Sequence, residues 1–222
     1  MCGGAEVADF WKDRRRDYLR CHGCQLVFVP EDQHLSSGDE KAEYDLHQNC
    51  PDDEGYRRFL GRLAEPLIDR LQPGSVGLDF GCGPGPTLPV MFEEAGHHMT
   101  VYDLFYAPAP KVFKDTYDFI AATEVVEHLH RPGEELDRLW DILNPGGWLG
   151  VMTKMVIDRE AFSRWHYKED PTHVCFFSRD VFSWLAASWQ TAPVFIGNDV
   201  VLLNKGERGQ RVNTSGNINN ES

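Results

Sequence analysis

The sequence predicts an α/β fold: a doubly wound, mostly parallel sheet with a small appendage at the amino terminus. Three observations support this class. From Gly61 to Lys205, short apolar segments alternate with segments whose apolar residues recur at helical spacing, the pattern of strand–helix–strand units. A glycine-rich run follows the first apolar segment, where such folds place ligands. The 222 residues, 41% of them apolar, suffice for one ordinary core.

The predicted core begins with a helix from Gly61 that carries Leu63, Leu67 and Leu71 and ends at Pro73. The next predicted elements are a strand over 75–80, a helix over 86–95, strands over 97–103 and 117–123, a long helix over 124–144, a turn at 144–147 and a strand over 148–153. Beyond Lys154 the pattern predicts helices over 158–165 and 178–189 and a hairpin over 192–205 that turns at 197–199.

The chain divides into three parts by composition. The first sixty residues are polar and rich in charge, so we assign 1–60 to the appendage and 61–205 to the core. Residues 206–222 contain almost no apolar side chains. Because such a segment cannot bury a core, we expect a disordered tail.

Charge and cysteine content exclude several classes of protein. Lys plus Arg number 22 against 35 Asp plus Glu, for a net charge of −13, which disfavours binding to nucleic acid or to an anionic membrane surface. No apolar run approaches the ~20 residues that cross a bilayer. The six cysteines are scattered and no apolar signal segment is present at the start, so we expect a cytoplasmic protein.

The run LDFGCGPG, residues 78–85, has the form of a cofactor loop. It lies between a predicted strand and a predicted helix, and its glycines permit a tight turn and close approach to a ligand. Asp103 ends the next predicted strand eighteen residues after Gly85, where a carboxylate can accept both hydroxyls of a ribose. The glycine spacing argues against NAD or FAD, and the lysine of a nucleoside-triphosphate loop is absent. A plain tight turn, with Asp79 as a helix cap, is the alternative.

Together LDFGCGPG, VYD, YDFIAATEVVEHL and LNPGGWLGVMT resemble the class I S-adenosylmethionine-dependent methyltransferases over about residues 61–153. The resemblance implies a Rossmann-like methyltransferase sheet with S-adenosyl-L-methionine as cofactor. By the same resemblance, Asp79, Gly81, Gly83 and Gly85 line the methionine part of the cofactor and Asp103 holds its ribose.

One segment departs from the family pattern. Thirteen residues, LFYAPAPKVFKDT, separate Asp103 from the strand at Tyr117, where the family usually fits a helix, a strand and a loop. We therefore expect a sheet that lacks one edge strand. The adenine contacts of that region would then fall to Phe105 and Tyr106.

A cluster of acids and histidines follows the strand 117–123. Glu124, Glu127 and His128 are spaced i, i+3 and i+4, so one face of the predicted helix would carry all three. His173, in the run DPTH, is expected to return to the same edge of the sheet. The alternative is an acidic helix start that favours the helix dipole, with His128 packed on the sheet.

The arrangement is similar to the metal centre of small-RNA 3′-end 2′-O-methyltransferases and to the pattern of ubiquinone-pathway O-methyltransferases. By that resemblance Glu124, Glu127, His128 and His173 would bind Mg²⁺, Mn²⁺ or Zn²⁺, and the metal would lower the pKa of a substrate hydroxyl. The alternative is a metal-free site in which His128 or His173 acts as the base or only forms hydrogen bonds.

The amino-terminal cysteines suggest a second metal. Cys21-His22-Gly23-Cys24 has the C-x-x-C form of a zinc knuckle. Cys2 resembles the second half of another knuckle, as in the zinc ribbon that precedes the catalytic core of many such enzymes. Structural zinc on Cys2, Cys21 and Cys24, no metal at all, and a redox pair remain open, the redox pair being least favoured because no strand–helix unit surrounds the motif.

The function expected from these observations is methyl transfer from S-adenosylmethionine to an oxygen atom of a small molecule, with nitrogen and carbon as less favoured acceptor atoms. A non-catalytic protein that only binds S-adenosylmethionine is the alternative. The cluster of polar residues at the open edge of the sheet favours the enzyme, because it has little structural purpose. An NAD-dependent oxidoreductase is opposed by the glycine spacing.

Overall fold

A computed structural model describes residues 1–46 and 50–207 of the chain. The strands are β1 (Val7–Lys12), β2 (Asp17–Cys21), β3 (Val27–Phe28), β4 (Val76–Phe80), β5 (His98–Tyr102), β6 (Tyr117–Thr123), β7 (Leu143–Met152), β8 (Cys175–Phe176), β9 (Pro193–Ile196) and β10 (Val200–Asn204). The α-helices are α1 (Ser37–Tyr44), α2 (Glu54–Ile68), α3 (Leu88–Glu94), α4 (Pro132–Asp141), α5 (Arg159–Ser163) and α6 (Arg179–Ser188).

The central sheet has the strand order β5-β4-β6-β7-β10-β9. Strands β5, β4, β6 and β7 are mutually parallel, and β10 is antiparallel to both of its neighbours. α3 connects β4 to β5 and α4 connects β6 to β7, so the parallel pairs are joined through helices as the alternation requires. The predicted α/β class with a doubly wound, mostly parallel sheet is confirmed.

Strand β5 forms one edge of this sheet within the described part of the chain. Only a short 3-10 helix, Pro110–Lys114, stands between β5 and β6, and its Phe113 ring packs edge-on against Tyr102 at 4.7 Å. The expected loss of one edge strand is therefore confirmed. Thirteen residues that include two prolines can reach the next parallel strand but cannot add a helix and a strand on the way.

The apolar core covers both faces of the central sheet. On one face α2 and α3 contribute Leu63, Leu67 and Phe92. On the other face α4 and α6 pack against the sheet, and a second, smaller sheet joins the same cluster through Tyr18 and Phe176. The smaller sheet is thus part of the main packing.

This smaller sheet has the order β1-β2-β3-β8 and is antiparallel throughout. Its first three strands come from the appendage and β8 comes from the segment that follows β7. The division of the chain at residues 60 and 205 stays a prediction. The register pairs Phe28 with Cys175, which brings the appendage to within two residues of His173.

Two predicted helices differ from those observed. α2 begins at Glu54, seven residues before the predicted start, because the Asp53 carboxylate caps the N–H groups of Gly55 and Tyr56 at 2.7 and 3.1 Å. The long helix predicted over 124–144 is wrong: α4 begins only at Pro132. Proline is compatible with a first helical turn but disfavours a helical conformation in the residue before it.

The remaining elements agree with the sequence apart from their ends. β7 begins at Leu143 and runs through the predicted turn, and β9 and β10 form the predicted hairpin, with Gly197 at φ +60°. The expectation of a disordered tail stays a prediction, since 208–222 lie outside the described residues. Within the described ranges, no helix combines the length and apolar character that a membrane span needs.

Candidate active site

Four strands of the central sheet end at one edge, and each is followed by a polar or glycine-rich turn. The glycine loop follows β4, Asp103 follows β5, Glu124 follows β6 and Thr153 follows β7. Because the carboxyl ends of parallel strands share one edge, these turns lie side by side. This edge is the candidate active site.

The glycine loop requires glycine at its first turn. Gly81 has φ +80°, and a Cβ there would lie 1.9 Å from Cγ2 of Val125, far inside van der Waals contact. Gly83 also has positive φ, at +64°, and the carbonyl of Gly85 accepts a hydrogen bond from Thr87 Oγ1 at 3.2 Å. The loop therefore touches the turn after β6 closely, and no larger residue fits at Gly81.

Asp103 braces the glycine loop. Its Oδ2 accepts the N–H of Gly83 at 3.0 Å, and its Oδ1 accepts the N–H groups of Phe105 and Tyr106 at 2.8 and 3.0 Å. Oδ2, which accepts only one donor, retains capacity for another. The carboxylate thus lies beside both the loop and the two aromatic residues that the sequence analysis assigned to the cofactor.

Asp79 is 2% exposed and its Oδ1 has no hydrogen-bond partner. Burial, together with the charge of Asp103, raises the pKa of Asp79 to about 7. Tyr56, on the first turn of α2, stacks its ring on that of Phe59 with centroids 6.2 Å apart. Burial and then the charges of Asp79, Glu124 and Cys82 raise the pKa of Tyr56 to about 12.

The structure brings together three of the four predicted metal ligands. One ligand atom from each of Glu127, His128 and His173 lies within 4.8 Å of the other two, and the two imidazole rings are 4.7 Å apart. Glu124, the fourth predicted ligand, is not part of this group. The predicted helix face is wrong, since Val126–His128 form a 3-10 turn, but the turn directs Glu127 and His128 to the same place.

Each of the two histidine rings is held by a backbone carbonyl at its Nδ1 atom. Nδ1 of His173 lies 2.7 Å from the carbonyl oxygen of Tyr167, and Nδ1 of His128 lies 3.2 Å from that of Thr172. A carbonyl only accepts, so each Nδ1 carries a proton. Nε2 of His173 lies 3.7 Å from Oδ2 of Asp170. Burial and the charge of His128 lower the pKa of His173 to about 4, so His173 is neutral at pH 7.

Tyr167 connects the acids of the cluster, and sequence reasoning missed it. Its buried hydroxyl donates to Glu127 and lies 3.4 Å from Oε2 of Glu124 and 3.3 Å from Oγ1 of Thr153. Its ring lies 4.1 Å from that of His173. The only signal in the sequence was a tyrosine six residues before His173, a weak one on its own.

Glu124 and Glu127 each have one buried carboxyl oxygen that lacks a hydrogen bond. Oε1 of Glu124 and Oε2 of Glu127 are buried without a hydrogen-bond partner. Burial raises the pKa of both groups, and the charge of Glu127 raises that of Glu124 further. Glu124 also adopts φ +50°, a conformation uncommon outside glycine. Strain and unpaired buried oxygens are concentrated in this turn.

The three amino-terminal thiols converge elsewhere in the molecule. The sulfur atoms of Cys2, Cys21 and Cys24 lie within 4.8 Å of one another, and those of Cys2 and Cys21 are 3.3 Å apart. Cys21 and Cys24 are buried. The thiols border a cavity of about 260 Å³ that is also lined by His34 and His130.

Comparisons with known proteins agree with this architecture. A family model described as a methyltransferase domain matches residues 53–189. A search of curated proteins found no match. The structure of 1,6-didemethyltoxoflavin-N1-methyltransferase from Burkholderia thailandensis has 18% identity and a TM-score of 0.52, over 91% of this chain and 100% of that chain.

A second similar structure is that of a complex between the Haloferax volcanii Trm112 methyltransferase activator and a methyltransferase described as putative in that work. The matched chain has 12% identity and a TM-score of 0.51, over 78% of this chain and 99% of that chain. At such identities, both likenesses concern the fold alone.

Proposed function

We propose a specific reaction for this chain, which belongs to the methyltransferase domain family: it transfers a methyl group from S-adenosylmethionine to an oxygen atom of a small molecule. The family establishes a methyl-transferring enzyme rather than a protein that only binds the cofactor. The observation that carries the proposal is the contact between two turns. The glycine loop at Gly81 packs against Val125, so the cofactor loop adjoins the turn that carries Glu124, Glu127 and His128.

The residues at this edge fit the donor. Asp103 would hold the ribose, the loop from Gly81 to Gly85 would lie along the methionine part, and Phe105 and Tyr106 would contact the adenine. The unpartnered Oδ1 of Asp79 is the kind of acceptor that a cationic group of the ligand satisfies. When bound, the donor supplies an electrophilic methyl group on a positively charged sulfur.

The histidines of the cluster favour oxygen as the atom that receives the methyl group, because they can take up a proton. A hydroxyl must lose its proton as the new bond forms, whereas a neutral amine already offers a lone pair. His128 or His173 would take that proton, and the carbonyl at Nδ1 of each ring would hold the imidazole in place. The remaining catalysis is positioning, by which the cleft holds the acceptor in line with the methyl group.

The cluster of Glu127, His128 and His173 also fits a divalent cation. Two imidazoles and one carboxylate suit Zn²⁺ or Mn²⁺ better than Mg²⁺, which prefers oxygen ligands. Such an ion would supply Lewis acidity that lowers the pKa of the acceptor hydroxyl. Glu124 is not needed for this set, although the sequence pattern included it.

Cys2, Cys21 and Cys24 form a separate candidate for zinc. Three thiols within 4.8 Å of one another match the donor set of structural zinc, which needs a fourth ligand. Cys2 precedes β1, Cys21 ends β2 and Cys24 lies in the turn before β3, so such an ion would tie the amino terminus to the small sheet. We propose this as a structural site distinct from the active-site cluster.

Calorimetry tests the cofactor assignment. We expect the protein to bind both S-adenosylmethionine and S-adenosylhomocysteine, and Asp103→Ala to weaken both by about 2–3 kcal/mol, the value of a charge-assisted hydrogen-bond pair. Asp115→Ala, an exposed acid in the same crossover, is the matched control and should change neither. Binding of NAD with no response to S-adenosylhomocysteine would contradict the proposal. Methyl-labelled donor with paired alcohol and amine acceptors then identifies the acceptor atom.

A further inference from the structure

Helix α1 of the appendage lies between two turns of the active-site edge. It runs from Ser37 to Tyr44 and is capped by Ser36, whose Oγ accepts the N–H of Asp39 at 3.3 Å. One of the two turns follows β5 and begins with Asp103, and the other follows β6 and contains His128. Side chains of α1 and of the residue after it contact both turns.

The carboxyl-terminal end of α1 is fixed to the turn after β5. The hydroxyl of Tyr106 donates to Oδ1 of Asp45 at 2.7 Å, and the same oxygen accepts Nζ of Lys41 at 2.8 Å. The ammonium of Lys41 also lies 5.2 Å from the centre of the Tyr106 ring, within the range of a cation–π contact. The ring of Tyr44 lies 5.7 Å from that of Phe105. Both aromatic residues of this turn therefore contact the end of α1.

The same helix is fixed to the turn after β6. Oε1 of Glu40, a residue only 7% exposed, lies 2.7 Å from Nε2 of His130. A carboxylate only accepts, so this nitrogen carries a proton. The ring of His34 packs against that of His130 with centroids 4.6 Å apart. Because a buried carboxylate is costly without such a donor, this contact ties α1 to the residues directly after His128.

The ring of Tyr44 connects the two turns. It stands edge-on to the imidazole of His128, with centroids 5.2 Å apart and planes at 88°, and it also contacts Phe105. Aromatic rings favour this arrangement, because the positive edge of one ring meets the negative face of the other. The imidazole of His173 lies 4.7 Å beyond that of His128. A line of ring contacts thus runs from the turn after β5 to the two histidines of the cluster.

A hydrogen bond and a ring contact hold the imidazole of His128. Its Nδ1 lies 3.2 Å from the carbonyl oxygen of Thr172, and the ring of Tyr44 packs against it. The hydrogen bond fixes one atom of the imidazole, whereas packing against a neighbouring ring fixes its plane. The orientation of His128 therefore depends on the position of α1.

We propose that Tyr44 is a positioning residue that couples binding of the donor to the orientation of His128. The inference rests on the proposed function, in which Phe105 and Tyr106 contact the adenine. A bound donor would fix these two aromatic side chains, and their contacts with Tyr44 and Asp45 would then fix α1. The ring of Tyr44 would in turn hold one orientation of the imidazole, so that binding of the donor raises the population of that orientation.

The test follows the histidine rings by NMR on the full chain, with isotope-labelled histidines and chelator-treated buffer, as S-adenosylhomocysteine is added. The signal of His128 is assigned by its loss in His128→Asn. We expect the ligand to shift the signal of His128 in the unmodified protein. The signal of His98, an exposed residue at the opposite edge of the sheet, should not move.

Variants at position 44 show whether the ring carries the coupling. Tyr44→Leu removes the ring and should lose the ligand-induced shift of His128, whereas Tyr44→Phe keeps the ring and should retain it. Glu43→Ala, at the neighbouring exposed position of α1, is the matched control and should behave as the unmodified protein. Loss of the shift in Tyr44→Phe as well would overturn the assignment to the ring contact.

A second variant tests the other contact of α1. Asp45→Ala removes the acceptor of the Tyr106 hydroxyl at an exposed position, so the fold should tolerate it. The ligand-induced shift of His128 should decrease in this variant. An unchanged shift would overturn the coupling even if Tyr44→Leu fails to fold.

Calorimetry with S-adenosylhomocysteine separates the inference from the proposed function. The ligand should still bind Tyr44→Leu, because Asp103 and the glycine loop are unchanged. If the ligand binds the unmodified protein without moving the signal of His128, or if Tyr44→Leu keeps the full shift, the coupling is overturned while the cofactor assignment stands. If the unmodified protein does not bind the ligand, both the proposed function and the coupling fail.

Discussion

Gly81 and Glu124 occupy the same left-handed region of backbone conformation for different reasons. At φ +80° Gly81 has no steric penalty because glycine lacks a Cβ, and the side chain of Val125 occupies the place where a Cβ would lie. At φ +50° Glu124 is strained and unsatisfied at one oxygen. Gly81 permits the tight turn of the glycine loop. The strained backbone of Glu124 directs its carboxyl group toward the hydroxyl of Tyr167.

Asp79 gives the stability of the protein a dependence on pH. Its pKa is raised by burial from 3.8 to about 7, so the folded state binds an extra proton between these values. Folding free energy is therefore lost as pH rises through this window, by at most about 1.4 kcal/mol per pH unit. Asp79→Asn should remove this loss.

Urea unfolding across the window measures the difference between wild type and Asp79→Asn. Since Glu124 and Glu127 contribute with the same sign in both proteins, the difference isolates Asp79. We expect the variant to gain stability relative to wild type from about pH 4 to about pH 7, and the gap to stay constant above that. A gap that is independent of pH would show that Asp79 is ionised throughout.

At the scale of elements, the break in the predicted helix 124–144 creates the acid–histidine cluster. A continuous helix would have placed Glu124 beside Glu127 and His128 on one face. Because α4 starts at Pro132, the residues before it form a 3-10 turn instead. The turn joins Glu127 and His128 to His173, while Glu124 stays outside this group and lies 3.4 Å from the hydroxyl of Tyr167.

A divalent ion should stabilise this junction of two segments. His173 lies between the 3-10 helix His166–Glu169 and β8, and Glu127 lies just after β6, so an ion that binds both links them only in the folded state. We expect Zn²⁺ or Mn²⁺ to raise the melting temperature, with about 2.7 kcal/mol at a hundredfold excess over Kd. Chelation should reverse the shift.

The double variant Glu127→Ala, His173→Ala locates the ion. It removes two of the three converging ligands, so the response to Mn²⁺ should disappear, whereas Zn²⁺ can still bind the separate thiol group of Cys2, Cys21 and Cys24. A response that survives would assign the ion to Cys21 and Cys24. If neither protein responds to metal, the metal-assisted route is excluded and the histidines act without an ion.

At the scale of the whole molecule, the appendage builds part of the active site. The guanidinium of Arg16, 9% exposed, donates to the carbonyl groups of Lys168, Asp170, Pro171 and His173. This one side chain orders the segment that presents Tyr167 and His173. The small sheet, which shares β8 with the same segment, reinforces it.

Arg16→Ala should therefore destabilise a site that lies more than 150 residues away in sequence. Four carbonyls would lose a charged donor, and we expect a loss of about 3 kcal/mol or more in unfolding free energy. Hydrogen exchange should show faster exchange over 166–175 in particular. Arg15→Ala, at the exposed neighbouring position, should leave both measurements unchanged, and an equal effect of the two variants would contradict the role of Arg16.

The sequence by itself determined the elements whose signals are local. The glycine run, Asp103 at a strand end and the alternation of strands and helices predicted the sheet and its cofactor edge, because backbone freedom and apolar periodicity are properties of short segments. The thirteen residues after Asp103 predicted the missing strand in the same way, through chain length alone.

Only the tertiary structure decided which side chains meet. Tyr167 and Arg16 carry no motif, and their hydrogen-bond partners lie on distant segments, so no local pattern marks them. Glu124 is not part of the group of Glu127, His128 and His173 because the helix that would have aligned them does not form; α4 begins only at Pro132. Hydrogen bonds and burial between distant segments depend on packing, and packing sets both the strain at Glu124 and the orientation of His173.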